Sequence, residues 1–251
     1  MLHKSLLSLL LAAALLGPAC QTESHVAAQP APVSHAPAPP PAKPQAPAIG
    51  RYIAPGAIDL HALLPDPPAP NSPISNGEIE LILATQADAF PASRQRAIDE
   101  DTMKVWLFAD ALGPSFNEAD KPKTAALIKQ IECDSKAISD RAKATWNRPR
   151  PYIQDPRIKL VTQGPSNNSY PSGHATRASA WTETLCLLVP EKSDAIRSRG
   201  RLIGLDRIIL GVHFPSDVAA GNALGKAIVE QMKQSPLFLH DLEEARQEWT
   251  K

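Results

Sequence analysis

Proline placement is the feature that most limits how this chain of 251 residues can fold, because its 26 prolines are unevenly distributed. Residues 21–50 are dominated by alanine and proline, and residues 35–41 read His-Ala-Pro-Ala-Pro-Pro-Pro. Such sequence lacks the apolar side chains of a core and favours extended polyproline II. We therefore predict a disordered Pro/Ala-rich tether over residues 21–50, with a cleaved pro-segment as the alternative.

The first 20 residues resemble an export signal peptide. Lys4 provides a short positive region, and residues 6–16 form an apolar run that only Ser8 interrupts. This run is shorter than the ~20 residues that a membrane-spanning helix needs. We therefore predict a signal peptide over residues 1–20 and a periplasmic protein, with a membrane anchor or a buried helix as the alternatives.

Cys20 follows directly after the small residues Gly17, Pro18 and Ala19. The segment from Leu16 to Cys20 resembles a bacterial lipoprotein signal, in which the cysteine is lipidated, although Gly17 stands where that pattern prefers leucine. Two fates therefore stay open: attachment to the outer membrane through a lipidated Cys20, and release into the periplasm.

Residues 51–251 have the composition of one folded domain. Over the whole chain 43% of residues are hydrophobic, which is enough for a single core of about 150–200 residues. Apolar residues recur at helical spacing, without the alternation that is typical of strands. The predicted helices cover about residues 79–90, 98–109, 123–146, 172–188, 192–210, 215–232 and 239–249. We therefore predict an all-α fold, a single-domain helical bundle.

Charge and cysteine content restrict the partners and the redox state. The formal net charge is +0 at pH 7, which argues against a nucleic-acid partner. If Cys20 is lipidated or removed, Cys133 and Cys186 remain as an even pair in an oxidising compartment. These two residues either form a disulfide or stay as separate buried thiols.

Three stretches in the C-terminal half contain the residue types of a phosphoryl-transfer site. Residues 143–151 read Lys-Ala-Thr-Trp-Asn-Arg-Pro-Arg-Pro, residues 171–174 read Pro-Ser-Gly-His, and residues 207–217 read Arg-Ile-Ile-Leu-Gly-Val-His-Phe-Pro-Ser-Asp. Cations can neutralise phosphoryl oxygens, one imidazole can attack, a second can protonate the leaving group, and a carboxylate can orient the attacking ring. The stretches offer cations where a metal site would offer ligands, so we expect no metal and no cofactor.

Taken alone, each of these residues has an ordinary explanation. Lys143, Arg150 and Arg207 would usually be surface charges, although the prolines on both sides of Arg150 fix the backbone there. Ser172 either caps a helix or binds a phosphate oxygen. Gly173 lets the backbone approach a ligand at a helix start, where amide groups favour an anion.

The histidines are equally ordinary when considered one at a time. His174 would be an exposed residue after an N-cap, and His213 with Asp217 would be a loop histidine followed by an acid in the first turn of a helix. A carboxylate at this spacing can instead bond one ring nitrogen of His213 and leave the other nitrogen free to attack.

Together, the three stretches match a specific signature in order and spacing. They resemble the type 2 phosphatidic-acid-phosphatase superfamily, whose pattern is Lys-x6-Arg-Pro, then Pro-Ser-Gly-His, then Ser-Arg-x5-His-x3-Asp. Residues 52–235 are similar in particular to the bacterial class A non-specific acid phosphatases. The resemblance implies a helical bundle of the acid phosphatase/vanadium haloperoxidase type.

The resemblance also implies a role for each residue. His213 would be the nucleophile that forms a phosphohistidine, Asp217 would orient it, and His174 would protonate the leaving oxygen. The residues that would bind the substrate phosphate are Lys143, Arg150, Arg207, Ser172 and the Gly173 amide.

Three positions depart from the family patterns. Asp206 stands where the superfamily has serine, and Asn168 and Ala175 stand where class A proteins have glycine and threonine. A carboxylate at position 206 would weaken phosphate binding if it pointed into the site, and would be harmless if it were solvated.

We therefore expect an exported acid phosphatase that acts on soluble phosphomonoesters. The alternatives are a vanadium-dependent haloperoxidase or a soluble lipid-phosphate phosphatase on the same fold, and a non-enzymatic binding module of the envelope. The short catalytic region argues against the haloperoxidase, and the lack of several membrane spans argues against an integral lipid phosphatase. A homo-oligomer is compatible with the sequence.

Overall fold

The structure, a computed structural model, describes residues 48–250. The predicted signal peptide, Cys20 and most of the predicted tether lie outside the described residues. Residues 48–50, which belong to the predicted tether, are bonded to the domain: the Ala48 amide donates to Oε1 of Gln130, and the Gly50 amide donates to Oδ1 of Asp134.

The described part of the chain contains ten α-helices, two 3₁₀ turns and no β-strand, which confirms the all-α prediction. The helices are α1 (Leu60–Leu63), α2 (Pro73–Asp88), α3 (Pro91–Asp99), α4 (Ala109–Leu112), α5 (Pro122–Trp146), α6 (Pro151–Gln154), α7 (Gly173–Leu188), α8 (Ser193–Ile209), α9 (Pro215–Met232) and α10 (Pro236–Arg246). The 3₁₀ turns are Val105–Phe108 and Pro190–Lys192. None of the described helices is long and apolar enough to span a membrane.

Prolines mark where several of these helices begin. Six helices start at a proline: α2, α3, α5, α6, α9 and α10. The first residue of a helix tolerates proline because its N–H has no partner within the helix and its φ angle is already close to the helical value. The long helix α5 ends at Asn147, which adopts a left-handed conformation with φ 44°. This turn brings the segment from Arg148 to Pro151 back towards the bundle.

One predicted helix is wrong. The apolar spacing from Ile98 to Ala109 predicts one continuous helix, but α3 ends at Asp99 and helical structure resumes only at Val105. Arg199 of α8 binds the chain on both sides of this break, since its guanidinium contacts the Glu100 carboxylate and donates to the Leu107 carbonyl. These tertiary bonds outweigh the local periodicity.

The two cysteines in the described part of the chain are not bonded to each other. Cys133 and Cys186 are both free thiols. Cys186 lies near the end of α7, where its Sγ is 3.9 Å from the Ser193 carbonyl oxygen at the start of α8. Its thiol is thus directed to the α7–α8 junction, and the disulfide alternative is wrong for this structure.

Helix α7 is at the centre of the bundle and packs against α5, α8 and α9. Its side chains Trp181 and Leu185 are fully buried, as are Leu224 and Ile228 of α9. The two helices approach so closely that a Cβ at Gly225 would overlap the Thr176 carbonyl oxygen and would lie 2.6 Å from Cβ of Ser179. A Cβ at Gly221 would likewise lie 2.5 Å from the Ser172 carbonyl oxygen, so the close contact extends back to the start of α7.

We predict that Gly225→Ala lowers the free energy of unfolding by about 2–3 kcal/mol, because the added methyl forces α7 and α9 apart. Gly77→Ala is the matched control, since Gly77 lies inside α2 and has no neighbouring atom within 4 Å. The control should be neutral or up to about 1 kcal/mol more stable, because alanine favours helix. Denaturant unfolding measures both, and equal stability of the two variants would contradict the packing.

Candidate active site

A cavity of about 180 Å³ opens where the C-terminal half of α5, the first turn of α7 and the loop between α8 and α9 meet. The residues that line it are Lys136, Ser139, Asp140, Lys143, Arg150, Pro165, Asn167, Gly173, His174, Arg177, Arg207, Val212 and His213. Six of the eight predicted site residues are in this lining. The other two, Ser172 and Asp217, lie directly behind it.

His213 is buried with its two ring nitrogens in different surroundings. Nδ1 is 3.4 Å from Oδ2 of Asp217, and Nε2 is 3.2 Å from Nη1 of Arg150. An ionised carboxylate only accepts hydrogen bonds and a guanidinium only donates them. These partners favour the tautomer that carries its proton on Nδ1, which leaves the Nε2 lone pair on the side of Arg150 and the cavity.

The Asp217 carboxylate is fully buried and accepts four hydrogen bonds. Oδ1 accepts from Arg148 (2.7 Å), while Oδ2 accepts from Ser169 Oγ (2.5 Å), from the Phe214 amide (2.9 Å) and, at longer range, from His213. Burial raises the pKa of this carboxyl, but the bonds from His213 and the charge of Arg148 outweigh it, so the pKa lies below its usual range. Asp217 is therefore an anion with a fixed orientation.

Arg148 is an essential part of this arrangement that motif spacing did not indicate. It is buried, and its guanidinium donates to Asp217 and Ser216 through Nη1 and to Glu78 through Nη2, at 2.7, 2.7 and 2.8 Å. The guanidinium group of Arg148 also lies over the ring of Phe214, with Cζ 3.8 Å from the ring centroid. Glu78 in turn accepts from the Ser216 amide at 2.6 Å, which ties α2 to the start of α9.

Lys143 and Arg150 are held by backbone carbonyl groups of the segment before α7 and, in the case of Arg150, also of the loop before α9. The Lys143 ammonium donates to the carbonyl oxygens of Asn168 (2.6 Å) and Ser169 (3.2 Å). Arg150 donates to the carbonyls of Asn167 (2.8 Å) and Val212 (2.7 Å). Burial and the nearby Arg150 charge lower the pKa of Lys143 to about 7. An anion in the cavity would therefore stabilise the charged lysine.

His174 and Arg207 share one partner, Asp101, which the sequence did not indicate either. Nε2 of His174 is 3.1 Å from the Asp101 carbonyl oxygen, and Nη1 of Arg207 is 2.8 Å from the Asp101 carboxylate. Asp101 lies in the break between α3 and the turn at Val105. Asp101, in the segment that interrupts the predicted helix, therefore positions the side chains of His174 and Arg207.

Both histidines are neutral near pH 7 when the cavity is empty. Burial lowers the pKa of His213 to about 3, and the Arg150 charge acts in the same direction while Asp217 opposes it. Burial, followed by the charges of Arg207 and Arg177, also lowers the pKa of His174 well below its usual range. The cations that surround the cavity thus disfavour any further positive charge.

Ser172 and Gly173 form the start of α7. The Ser172 hydroxyl accepts from the Ala175 amide at 3.3 Å, so this side chain caps the helix, while its backbone amide donates to the Asp217 carbonyl at 2.9 Å. Gly173 is the first residue of α7 and lines the cavity. The first N–H groups of a helix have no partner within it and favour an anion.

Comparison with known proteins agrees with this geometry. A family model described as the PAP2 superfamily matches residues 130–235. A non-specific acid phosphatase of Providencia stuartii is 31% identical over 206 residues, which cover 78% of this chain and 82% of that protein. This chain belongs to the PAP2 superfamily, among the non-specific acid phosphatases.

Two further similarities are more partial. An acid phosphatase of Zymomonas mobilis is 34% identical over 154 residues, which span 57% of this chain and 56% of that protein. The crystal structure of a transmembrane PAP2-type phosphatidylglycerolphosphate phosphatase from Bacillus subtilis is 19% identical, with a TM-score of 0.48, over 65% of this chain and 87% of that one.

The structure shows the surroundings of the three residues that depart from the superfamily and class A patterns. Asp206 is fully buried but does not line the cavity, because its carboxylate binds Arg96 of α3 at 2.8 Å. The Asn168 side chain donates to the Lys143 carbonyl at 3.0 Å, so asparagine adds a bond to the backbone of this lysine. Ala175 is buried in the first turn of α7.

We predict that Arg148→Met lowers the free energy of unfolding by about 3–5 kcal/mol, because it leaves the carboxylates of Glu78 and Asp217 buried without their cation. Arg157→Met is the matched control, since Arg157 also binds two carboxylates, on Glu80 and Asp155, but at an exposed site. Its loss should cost much less, because ion pairs at exposed sites contribute little to stability. Denaturant unfolding of both variants checks this, and similar losses would contradict the importance of the buried network.

Proposed function

We propose that this protein is an exported acid phosphatase that hydrolyses soluble phosphomonoesters through a phosphohistidine on His213. The observation that carries the proposal is the orientation of His213, whose Nδ1 faces the Asp217 carboxylate and whose Nε2 lies beside Arg150 at the cavity. A nucleophile fixed by a third group and facing cations is the arrangement that covalent phosphoryl transfer needs.

In the first step the phosphoryl group occupies the cavity, and Lys143, Arg150 and Arg207 neutralise its oxygens. Nε2 of His213 attacks phosphorus while the bond from phosphorus to the ester oxygen breaks. The ring becomes positively charged, and the Asp217 carboxylate stabilises the Nδ1–H that faces it. In the apo structure Arg150 donates to Nε2, so the entering phosphate must take over this donor.

His174 supplies the proton for the leaving oxygen. Because its Nε2 faces the Asp101 carbonyl oxygen, the second ring nitrogen, Nδ1, is the position from which a proton can be given. The negative charge of the bound phosphomonoester counteracts the surrounding cations and favours the doubly protonated ring. In the second step His174 takes a proton from water, the water oxygen attacks phosphorus, and inorganic phosphate and neutral His213 are released.

The cavity entrance favours a polar leaving group. Lys136 and Asp140 form an ion pair there at 2.6 Å, and Arg177 binds Glu132 at 2.8 Å. Charged side chains of both signs suit a hydrated sugar or nucleoside better than an acyl chain. This supports soluble phosphomonoesters over lipid phosphates as substrates.

Export is part of the same proposal and rests on residues 1–20, which resemble a signal peptide. We propose a periplasmic location, with residues 21–47 as a tether if Cys20 is lipidated. The mass of the mature N-terminus distinguishes a lipidated Cys20 from a cut that releases the protein.

We predict that His213→Ala abolishes turnover of a chromogenic phosphomonoester, because it removes the ring nitrogen that attacks phosphorus. His174→Ala should slow substrates with poor leaving groups by about 10²–10⁴-fold and should spare nitrophenyl-type esters, which need little protonation. His240→Ala, at an exposed position on α10, is the control and should behave like the wild type. An active His213→Ala variant would refute the mechanism.

We also predict that turnover survives a chelator, because the site offers cations where a metal site would offer ligands. Activity that EDTA removes and a divalent metal restores would refute the mechanism.

We predict that kcat/KM is highest at acidic pH and falls as pH rises through about 7. His213, whose pKa is about 3, is already neutral in mild acid. His174 must gain a proton to act as the acid, and its lowered pKa requires acidic solution. Lys143, whose pKa is about 7, loses its charge above that value. A pH–rate profile of the free enzyme reports these groups, and a rate that climbs steadily to pH 9 would contradict the assignment.

A further inference from the structure

Ser139 lines the active-site cavity and belongs to neither the sequence signature nor the mechanism above. It lies on α5 one turn before Lys143 and is only 3% exposed. Within residues 48–250 its buried hydroxyl oxygen has no hydrogen-bond partner. A helical serine commonly donates to the carbonyl oxygen four residues earlier, and this hydroxyl does not.

The surroundings of the hydroxyl point to a missing acceptor. A Cβ added to Gly173 would lie 3.4 Å from Oγ of Ser139 and 3.7 Å from Cε of Lys143. One wall of the cavity is therefore formed by the Ser139 hydroxyl, the Lys143 side chain and the first turn of α7. A buried hydroxyl without a partner costs free energy, and each of the neighbouring cationic and amide groups favours an anion.

We propose that Ser139 is a further substrate-binding residue, whose O–H donates to an oxygen of the phosphoryl group bound beside Lys143 and Gly173. This inference rests on the proposed phosphatase function and adds a neutral donor to its cationic site. Gly173 is part of the same arrangement, because a Cβ at that position would be in van der Waals contact with the hydroxyl. The ligand class is a tetrahedral oxyanion, which includes inorganic phosphate and vanadate as well as the substrate.

The same helix offers a matched control. Ser135 lies one turn before Ser139, is fully buried, and also carries a hydroxyl oxygen without a partner in the described part of the chain. It does not line the cavity. A difference between Ser139→Ala and Ser135→Ala therefore reports contact with the ligand, since the two changes remove the same group from the same kind of environment.

The experiment measures inhibition by inorganic phosphate, kcat/KM for a chromogenic phosphomonoester, and the thermal midpoint with and without phosphate. Ser139→Ala should bind phosphate about 10-fold more weakly, the usual effect of losing a hydrogen bond to a charged group. Its thermal midpoint without phosphate should not fall, because the hydroxyl bonds nothing in the empty site. Ser135→Ala should keep the wild-type affinity for phosphate.

The outcomes separate this inference from the function on which it rests. A wild-type protein that neither binds phosphate nor turns over phosphomonoesters would refute the proposed function. With an active wild type, equal phosphate affinity of Ser139→Ala and Ser135→Ala would overturn the role of Ser139. A Ser139→Ala protein that is unstable without phosphate would overturn it as well, since the hydroxyl would then have a structural partner.

Discussion

The structure of the site depends on one buried anion, the carboxylate of Asp217. It caps its own helix through the Phe214 amide, accepts from Ser169 and Arg148, and faces Nδ1 of His213. These donors come from the loop before α9 and from the two segments on either side of α6. A charge that is fully buried must be neutralised and hydrogen-bonded. The need to satisfy this carboxylate therefore fixes the orientation of the His213 imidazole, on which the proposed mechanism depends.

The lining of the cavity has more cationic than anionic side chains. Burial lowers the pKa of Lys143, His174 and His213, and further cations near each group act in the same direction. An entering phosphoryl group reverses these effects by supplying negative charge at the centre of the cluster. Binding of an anion and protonation of His174 are thus linked.

Sequence spacing was sufficient to find the predicted site residues that line the cavity. Lys143, Arg150, His174, Arg207 and His213 meet at one cavity, although up to about 70 residues separate them in the chain. Their spacing is diagnostic because each residue has a fixed place in an element. Lys143 is near the end of α5, Arg150 lies between two prolines, and His174 is in the first turn of α7.

The residues behind them could not be found in this way. Arg148, Glu78 and Asp101 act through contacts between distant segments, and nothing in their own neighbourhood distinguishes them from surface charges. The break after α3 was missed for the same reason, because Arg199 of α8 imposes it from another element. Ser172 had two interpretations, and its hydroxyl bonds the Ala175 amide as a helix cap.

The central claim is that Asp217 makes Nε2 of His213 the attacking atom. The most direct test is to quench the wild-type enzyme during turnover of a labelled phosphomonoester and to determine the position of the phosphoryl group by mass spectrometry and NMR. The account predicts a single adduct on Nε2 of His213, lost in His213→Ala. An adduct on His174, an adduct on Nδ1 of His213, or turnover without any covalent adduct would contradict it.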